Sequence, residues 1–543
     1  MQRLTLAKRT ALLFFLAAVA FYLYGLGHLP FIGPDEPRYA QVAREMYERG
    51  DLITPTLGGH TWFEKPALLY WMMIASFRTF GVSEWSARLG PALCGLLTIV
   101  LIYWMGRRVE RASGSENGLS GLGLWAGACA ASSVGLIVFS RGASFDIVVT
   151  MTVTLALVSF FASEIDDKRH RAKLICFYAA IGASLLAKGL VGIVVPFGVI
   201  GLYFILRRQW PGKRLLLSLL WGIPLALAVS SLWYGPVIAK HGWSFVDEFF
   251  IQHHFARFIS NKYHHPQPFY FYIPVVILLA LPWTAFLLAA LVRASRWEWR
   301  SGSVESRFRI FAFAWMLAPI LFFSASGSKL PGYILPALPG AAFLIGERLS
   351  RSINGEGGAA WLRATGAILI GLAIAAIVFS RMSEIPLSWV MVVVAPLAVG
   401  GLVTILMKEG RGFRAELVCS AMFMSMALAL NGGVNRIAAQ ESVRDLMLVA
   451  DTRGEVKTPI FFMLTDDRTA EFYAGGRLAY KPDGEPFRFD GANEVAAAAA
   501  ERGGRALVLV PTEWTNQLTD YSAITTELIA NNGDLTLALV TVR

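Results

Sequence analysis

Charge is scarce in this chain: Asp, Glu, Lys and Arg make up 16% of its 543 residues, against 55% hydrophobic residues. With a mean hydropathy of +0.52, that leaves too little polar surface to wet a soluble globule, and a soluble enzyme is excluded. Cysteine is scarcer still. Cys94, Cys129, Cys176 and Cys419 all lie in apolar runs, which excludes a disulfide framework and reads as small packing residues. No internal period of roughly 20 to 50 residues is visible, and low complexity is confined to 496–500. Disorder is excluded by aromatics at 13%.

Long apolar runs are what the chain has instead. A membrane span needs about 20 mostly apolar residues. Thirteen segments qualify as candidates, at 10–28, 85–106, 119–139, 145–163, 172–190, 191–206, 215–237, 269–291, 308–325, 331–346, 361–380, 388–407 and 414–431. The stretch 66–80 is short and broken by Arg78 and Gly81, so it reads as an interfacial helix. With the amino terminus inside, the inside connections carry Arg3/Lys8/Arg9, Arg107/Arg108/Arg111, Lys168/Arg169/Arg171/Lys173, Arg207/Arg208/Lys213/Arg214, Arg293 to Arg309, Arg348/Arg351/Arg363 and Lys408/Arg411/Arg414. The short outside connections hold about one cation each, so this frame satisfies the positive-inside rule and puts the carboxyl terminus outside. A cleaved signal peptide is the alternative for 10–28, but the apolar run continues through Leu26 without a polar cleavage region.

From about residue 435 the composition changes. Helix-like 442–454 precedes strand-like 459–464, helix-like 492–502 precedes 506–510, and 535–542 ends the chain as a strand. The expected organisation is therefore a transmembrane domain over 1–434 with long outside loops at 29–84 and 238–268, then an outside α/β domain over 435–543. The net charge of +11 divides accordingly: 436–543 holds 11 Lys and Arg against 16 Asp and Glu. The basic excess thus belongs to the membrane part, where it orients loops, and nucleic acid is not an expected partner.

Seven of the eight histidines fall on the outer side, His28, His60, His241, His253, His254, His264 and His265, with His170 inside. In the first outer loop Asp35 and Glu36 open a helix-patterned run, with Pro37 in its first turn and Tyr39, Val42, Ala43 and Met46 at helical spacing. As dipole-complementing residues such a pair would be ordinary. A few residues beyond a membrane exit, it places two carboxylates at headgroup level, where a base or a cation ligand meets a lipid substrate. Glu64 and Lys65 stand at similar depth. Asp146 opens one apolar span and Lys188 closes the next; ionisable groups in spans are functional candidates, although Asp146 also suits internal pairing with Arg141 or Lys188. His253 and Arg257 are four apart, and Lys329 and Tyr333 lie in a small-residue outer turn. Lys65, Arg257, Lys329 and Tyr333 form a candidate phosphate-binding set; each alone also suits an interfacial anchor.

The first-loop motif, Asp35-Glu36-Pro-Arg38-Tyr39-Ala, Arg44-Glu45-Met46 and Phe63-Glu64-Lys65-Pro66, together with Ser328-Lys329-Leu-Pro-Gly-Tyr333-Ile-Leu-Pro336, resembles the aminoarabinose (4-amino-4-deoxy-L-arabinose) transferases of lipid A. These are GT-C glycosyltransferases, related to the protein O-mannosyltransferases. The resemblance covers the whole chain. It implies an α-helical polytopic membrane protein of GT-C type, with about 13 transmembrane helices and a C-terminal soluble α/β periplasmic domain, in a bacterial inner membrane. It further implies transfer of a sugar from an undecaprenyl-phosphate donor to lipid A, another glycolipid or a protein. Asp35 would be the catalytic carboxylate and Asp146 a second acidic group, while Lys65, Arg257 and Tyr333 would bind the donor phosphate. Glu64 and a second-loop histidine, best placed as His253, would hold a divalent cation, a weak site with only two ligands. A secondary transporter using Asp146 and Lys188 as a coupling pair is the alternative of another class; charges gathered at one outer edge and the lack of a repeat speak against it.

Overall fold

The computed structural model describes residues 2–114, 119–166, 168–256, 267–382, 385–432 and 434–543. It divides into two compact units, one of Met1–Tyr24, Phe63–Leu69 and Leu89–Ala429, the other of Gly25–Trp62, Tyr70–Arg88 and Leu430–Arg543.

The first unit is helical, and each of the thirteen apolar segments forms a helix or a helix pair within it. Among the described residues seven helices are individually long and apolar enough to cross a membrane, and the pair Leu122–Ala131 and Val134–Arg141, bent by 57°, makes an eighth. Shorter apolar helices such as Val191–Arg207 and Phe269–Leu279 account for further segments. The bend falls on Ser132 and Ser133, whose hydroxyls donate to the Ala128 and Ala130 carbonyls and so compete with the helix ladder. Burial separates inner from outer helices. Phe145–Ile165 is 83% buried, whereas Lys213–Gln252, of higher mean hydropathy, is 22% buried. An apolar helix left uncovered by protein requires lipid around it, which makes the fold polytopic and membrane-embedded. Buried aromatics tie the inner helices together, as where Phe161 stacks on Phe311 with ring centres 4.6 Å apart.

The second unit is built on a five-stranded sheet in the order Arg488–Phe489, Ile460–Met463, Arg505–Pro511, Leu535–Val542, Ile524–Asn531. The first three strands run parallel and the last two are antiparallel. Period-two alternation sorts its side chains. Ile460, Phe462, Leu507, Leu509, Leu537 and Leu539 pack with Leu446 and Met447 of helix Arg444–Thr452. Met463, Val508, Val510, Ala538 and Val540 pack with Val495 of helix Ala492–Glu501 on the other face. Both helices and the three apolar strands lie where the hydrophobic pattern predicts them. Ile524–Asn531 does not announce itself: it is an edge strand with four of eight residues exposed and two buried, and edge strands carry polar residues that mask the alternation.

The same unit takes in much of the first loop. Helix Asp35–Arg49 buries Tyr39, Val42, Ala43 and Met46, the residues its spacing singles out, and ends on Gly50 in the left-handed conformation. A two-residue hairpin follows, Thr56–Leu57 against His60–Thr61. Its turn must be glycine at position 58, where φ is +59° and a Cβ would lie 2.4 Å from the Tyr480 ring. Glu45 accepts from the Gly58 and Gly59 amides at 2.7 and 3.2 Å, which locks the hairpin to the helix.

Candidate active site

Two groups of polar side chains stand out, one in each unit. In the helical unit Ser144 caps Phe145–Ile165 by accepting from the Asp146 amide at 3.0 Å, so the Asp146 carboxylate sits in the first turn, where the helix dipole favours an anion. Lys188, the last residue of His170–Lys188, is ion-paired with Asp146 and lies over the Tyr333 ring, 4.5 Å from its centre. Of the two pairings the sequence offers for Asp146, that with Lys188 forms, and Arg141 donates to the carbonyls of Phe21 and Tyr24, at 2.6 Å each. Gly332 is required beside this pair, since a Cβ there would meet the Asp146 carboxylate at 2.1 Å. Tyr333 and Asp146 are therefore brought together by the Pro331–Ala337 turn. Lys329, in contrast, is 7% exposed and donates to the Ser326 carbonyl at 2.6 Å.

Lys65 and Glu64 pair at 3.1 Å, each about one-seventh exposed. The preceding Phe63 is buried against His241 and Phe245, with ring centres 5.0 and 5.1 Å away, and its amide donates to Glu248 at 3.4 Å. His253 lies in the π-helix Asp247–Ala256, where its side chain is outside the described residues, as is Arg257 altogether. Among the described residues no group of three or more His, Cys, Asp or Glu is arranged to hold a metal. The Glu64 carboxylate is already engaged by an ammonium.

In the second unit the Asp-Glu pair is split. Glu36 is clamped by Arg88, which donates from Nε at 3.0 Å and from Nη2 at 2.7 Å in the bidentate geometry that arginine favours. Arg88 is 4% exposed and also donates to the carbonyls of Leu26, Leu29 and Pro30, so it staples the loop entry. Asp35, the first residue of the helix, is exposed, and its carboxylate has no recorded partner among the described residues. Arg38 donates to Glu471 at 3.4 Å and stacks over Trp62 at 5.0 Å. Glu471 is fully buried and also accepts from Arg468 at 3.0 Å; burial raises its pKa, and the two arginines oppose the shift. Tyr473 accepts from the Phe31 amide at 2.7 Å and donates to Glu84 at 2.9 Å. Burial and the Glu84 charge push that phenol upward, which keeps its proton available to donate. Tyr39 is a core residue at 6% exposure.

Sequence reasoning passed over Arg88, Glu84, Glu471 and Tyr473. For Arg88 a signal exists: it is the one charged residue in the apolar run 85–106, where a charge demands a partner. For Glu471 the nearby Arg468 gives only an ordinary i,i+3 pair, and its link to Arg38, like those of Tyr473 to Phe31 and Glu84, spans hundreds of residues and leaves no local signal.

The family described as dolichyl-phosphate-mannose-protein mannosyltransferase matches residues 7–299. An undecaprenyl phosphate-alpha-4-amino-4-deoxy-L-arabinose arabinosyl transferase of Pseudomonas aeruginosa (strain LESB58) is 32% identical over 378 residues, 68% of this chain and 65% of the relative. One of the same name from Aeromonas salmonicida (strain A449) is 33% identical over 352 residues, 63% of this chain and 59% of the relative. The matched stretch thus spans less than two thirds of these relatives. The crystal structure of ArnT from Cupriavidus metallidurans bound to undecaprenyl phosphate superposes with a TM-score of 0.79 at 24% identity, covering 97% of both chains; its apo form gives 0.75 at 23%, covering 98% of both. The fold is shared across the full length.

Proposed function

This chain belongs to the dolichyl-phosphate-mannose-protein mannosyltransferase family, and on that premise we propose that it moves 4-amino-4-deoxy-L-arabinose from an undecaprenyl-phosphate donor to lipid A. The relatives from Pseudomonas and Aeromonas, named for transfer of this sugar from this carrier, support both, and undecaprenyl phosphate bound to a protein of this fold supports the carrier. The reaction takes place on the periplasmic face of a bacterial inner membrane. Thirteen spans run from a cytoplasmic amino terminus to a periplasmic domain at 435–543, with periplasmic loops at 29–84 and 238–268; basic residues at every inside connection support this frame.

The observation that carries the assignment is the split pair at the head of helix Asp35–Arg49: Glu36 is clamped by Arg88, and Asp35 is left exposed. Asp35 is the catalytic carboxylate, stabilising the oxocarbenium character of the sugar as its bond to phosphate breaks. Asp146 is the second acidic group, held by Lys188 over Tyr333. Lys65, Arg257 and Tyr333 receive the charge that develops on the leaving phosphate, with Lys329 supporting the turn that carries Tyr333. Losing one such cation raises the barrier by about 3 kcal/mol. A lipid A phosphate is already anionic and needs no base to deprotonate it. Glu64 and His253 remain the pair that would hold a divalent cation, and every step above runs through other side chains.

With purified full-length protein, donor and lipid A, Asp35→Asn lowers turnover by about a hundredfold or more while unfolding at an unchanged temperature; mass spectrometry of the lipid A reads the transfer, and wild-type turnover in Asp35→Asn would remove the assignment. The family description favours a second reading, polyprenyl-phosphate-mannose-dependent O-mannosylation of protein. A serine or threonine hydroxyl must lose a proton, so under that reading Asp35 is also a base, and mannosylated protein replaces modified lipid A as the product.

A further inference from the structure

Basic residues at membrane boundaries are ordinarily solvated, and Arg414 is not. It lies in the first turn of helix Arg411–Leu430 and is 0% exposed, yet its Nε and Nη2 have no hydrogen-bond partner among the described residues. The charges acting on it are Arg363 and Arg411, both of its own sign, and no carboxylate pairs with it among the described residues. Arg348, at 2% exposure, also has two unpartnered guanidinium nitrogens, but it faces Glu347 and Glu356. Among the described residues Arg414 combines burial and unpartnered guanidinium nitrogens with two neighbouring charges that are both cationic. A buried guanidinium without a counter-ion is strongly destabilising, and a buried polar group left unsatisfied in a native fold points to an ion or ligand.

The neighbours of Arg414 suit an anion. One turn earlier Arg411 is anchored by donating to the carbonyls of Ser352 and Gly357, which fixes its positive charge in place. Arg363 is exposed and so forms an outer rim. The first-turn amides of a helix lack intrahelical acceptors and lie at the positive end of its dipole. Topology accounts for the basic composition of this connection; it does not account for burying one of its arginines without a partner.

We propose that the amino-terminal turn of helix Arg411–Leu430 binds a phosphate group, with Arg414 as its inner ligand and Arg411 and Arg363 around it. The chemistry is that of a phosphate monoanion or dianion, supplied either by inorganic phosphate or by an anionic phospholipid headgroup. This site uses none of the residues assigned to sugar transfer.

The test is thermal unfolding of delipidated full-length protein in detergent, with ionic strength held constant by sodium chloride. One arm titrates inorganic phosphate; the other titrates phosphatidylglycerol in mixed micelles against phosphatidylcholine. The wild type responds with a saturable rise in midpoint. A response to phosphate alone identifies a soluble anion, and a response to phosphatidylglycerol only identifies a headgroup. Arg414→Gln abolishes the response, and in the absence of ligand it unfolds no lower than wild type, because it removes a buried charge that has no partner. Arg363→Gln, an exposed change that leaves folding intact, raises the half-saturating concentration about threefold. A wild-type midpoint that neither ligand moves, or an Arg414→Gln response equal to wild type, overturns the proposal. If Arg414→Gln cannot be purified, an unchanged half-saturating concentration in Arg363→Gln overturns it as well.

Discussion

In the helical unit Asp146 is paired with Lys188 above one aromatic ring, and Glu64 with Lys65; in the second unit Glu471 is shared by Arg38 and Arg468, Glu84 by Tyr473 and Arg444, and Arg88 reaches four separate residues. The difference follows from the surroundings. Among apolar helices an ion must be neutralised close by, whether in a pair such as Asp146 with Lys188 or in the cluster of Glu305, Arg309, Glu347, Arg351 and Glu356 at the ends of helices Val304–Ser324 and Leu338–Ile353. Beside a polar sheet domain, ions can be linked, and linked ions hold a loop in register. The helical unit ties helix ends together with its ions, and the second unit uses them as joinery for the segment that carries Asp35.

The sharpest way to break this contrast is Arg88→Ala. It takes the bidentate guanidinium from Glu36 and a donor from each of three carbonyls, so unfolding free energy falls by about 3 to 5 kcal/mol in calorimetry or denaturant titration. A loss below about 1 kcal/mol would make the staple ornamental.

Next in size is the Asp146–Lys188 pair, whose side chains are 18% and 15% exposed. Asp146→Asn alone destabilises by about 2 kcal/mol because Lys188 loses its counter-ion. The double variant Asp146→Asn with Lys188→Met recovers most of that stability, and turnover stays low in both. Recovery of turnover along with stability would reduce Asp146 to a structural partner.

Glu471→Gln comes lower. Glutamine retains hydrogen-bonding capacity, and the glutamate already bears a burial penalty that raises its pKa. The expected loss is about 1 kcal/mol, seen as faster amide exchange across Asp35–Arg49. No change in that helix would separate it energetically from Glu471.

The smallest effect is a slope with pH. Asp467 also has its pKa raised by burial, against hydrogen bonds from Thr469. A carboxyl whose folded pKa exceeds its unfolded value binds protons preferentially in the folded state. Its contribution is therefore fully present below the unfolded pKa and lost as pH rises through the folded one. Amide protection in the sheet domain should decline gently as pH rises above the ordinary carboxyl range, and Asp467→Asn should flatten that decline. An unchanged slope would assign it to other groups.

Much of this was readable beforehand. The buried face of helix Asp35–Arg49 follows from the spacing of Tyr39, Val42, Ala43 and Met46, and the parallel strands Ile460–Met463 and Arg505–Pro511 from short apolar runs between turn signals. The Asp35–Glu36 pair was visible as a helix opening, and Asp146 and Lys188 as charges where charges are costly. The division of labour between Asp35 and Glu36 was not visible, since it depends on Arg88, 52 residues on from Glu36. Nor was the placement of the first loop within the unit of the sheet domain, which rests on contacts such as Phe31 with Phe472 and Tyr473. Edge strand Ile524–Asn531 stayed hidden because its exposed positions carry no hydrophobic period.

Composition and local pattern determined the membrane-embedded class, the helical segments and the α/β character of the tail. Each of these follows from the transfer of apolar groups out of water and from short-range periodicity, which are properties of a contiguous stretch. Which ion meets which was decided only by the tertiary structure. An ion pair forms between residues that folding brings within about 4 Å, whatever their separation along the chain, and hydropathy along the sequence carries no record of that meeting.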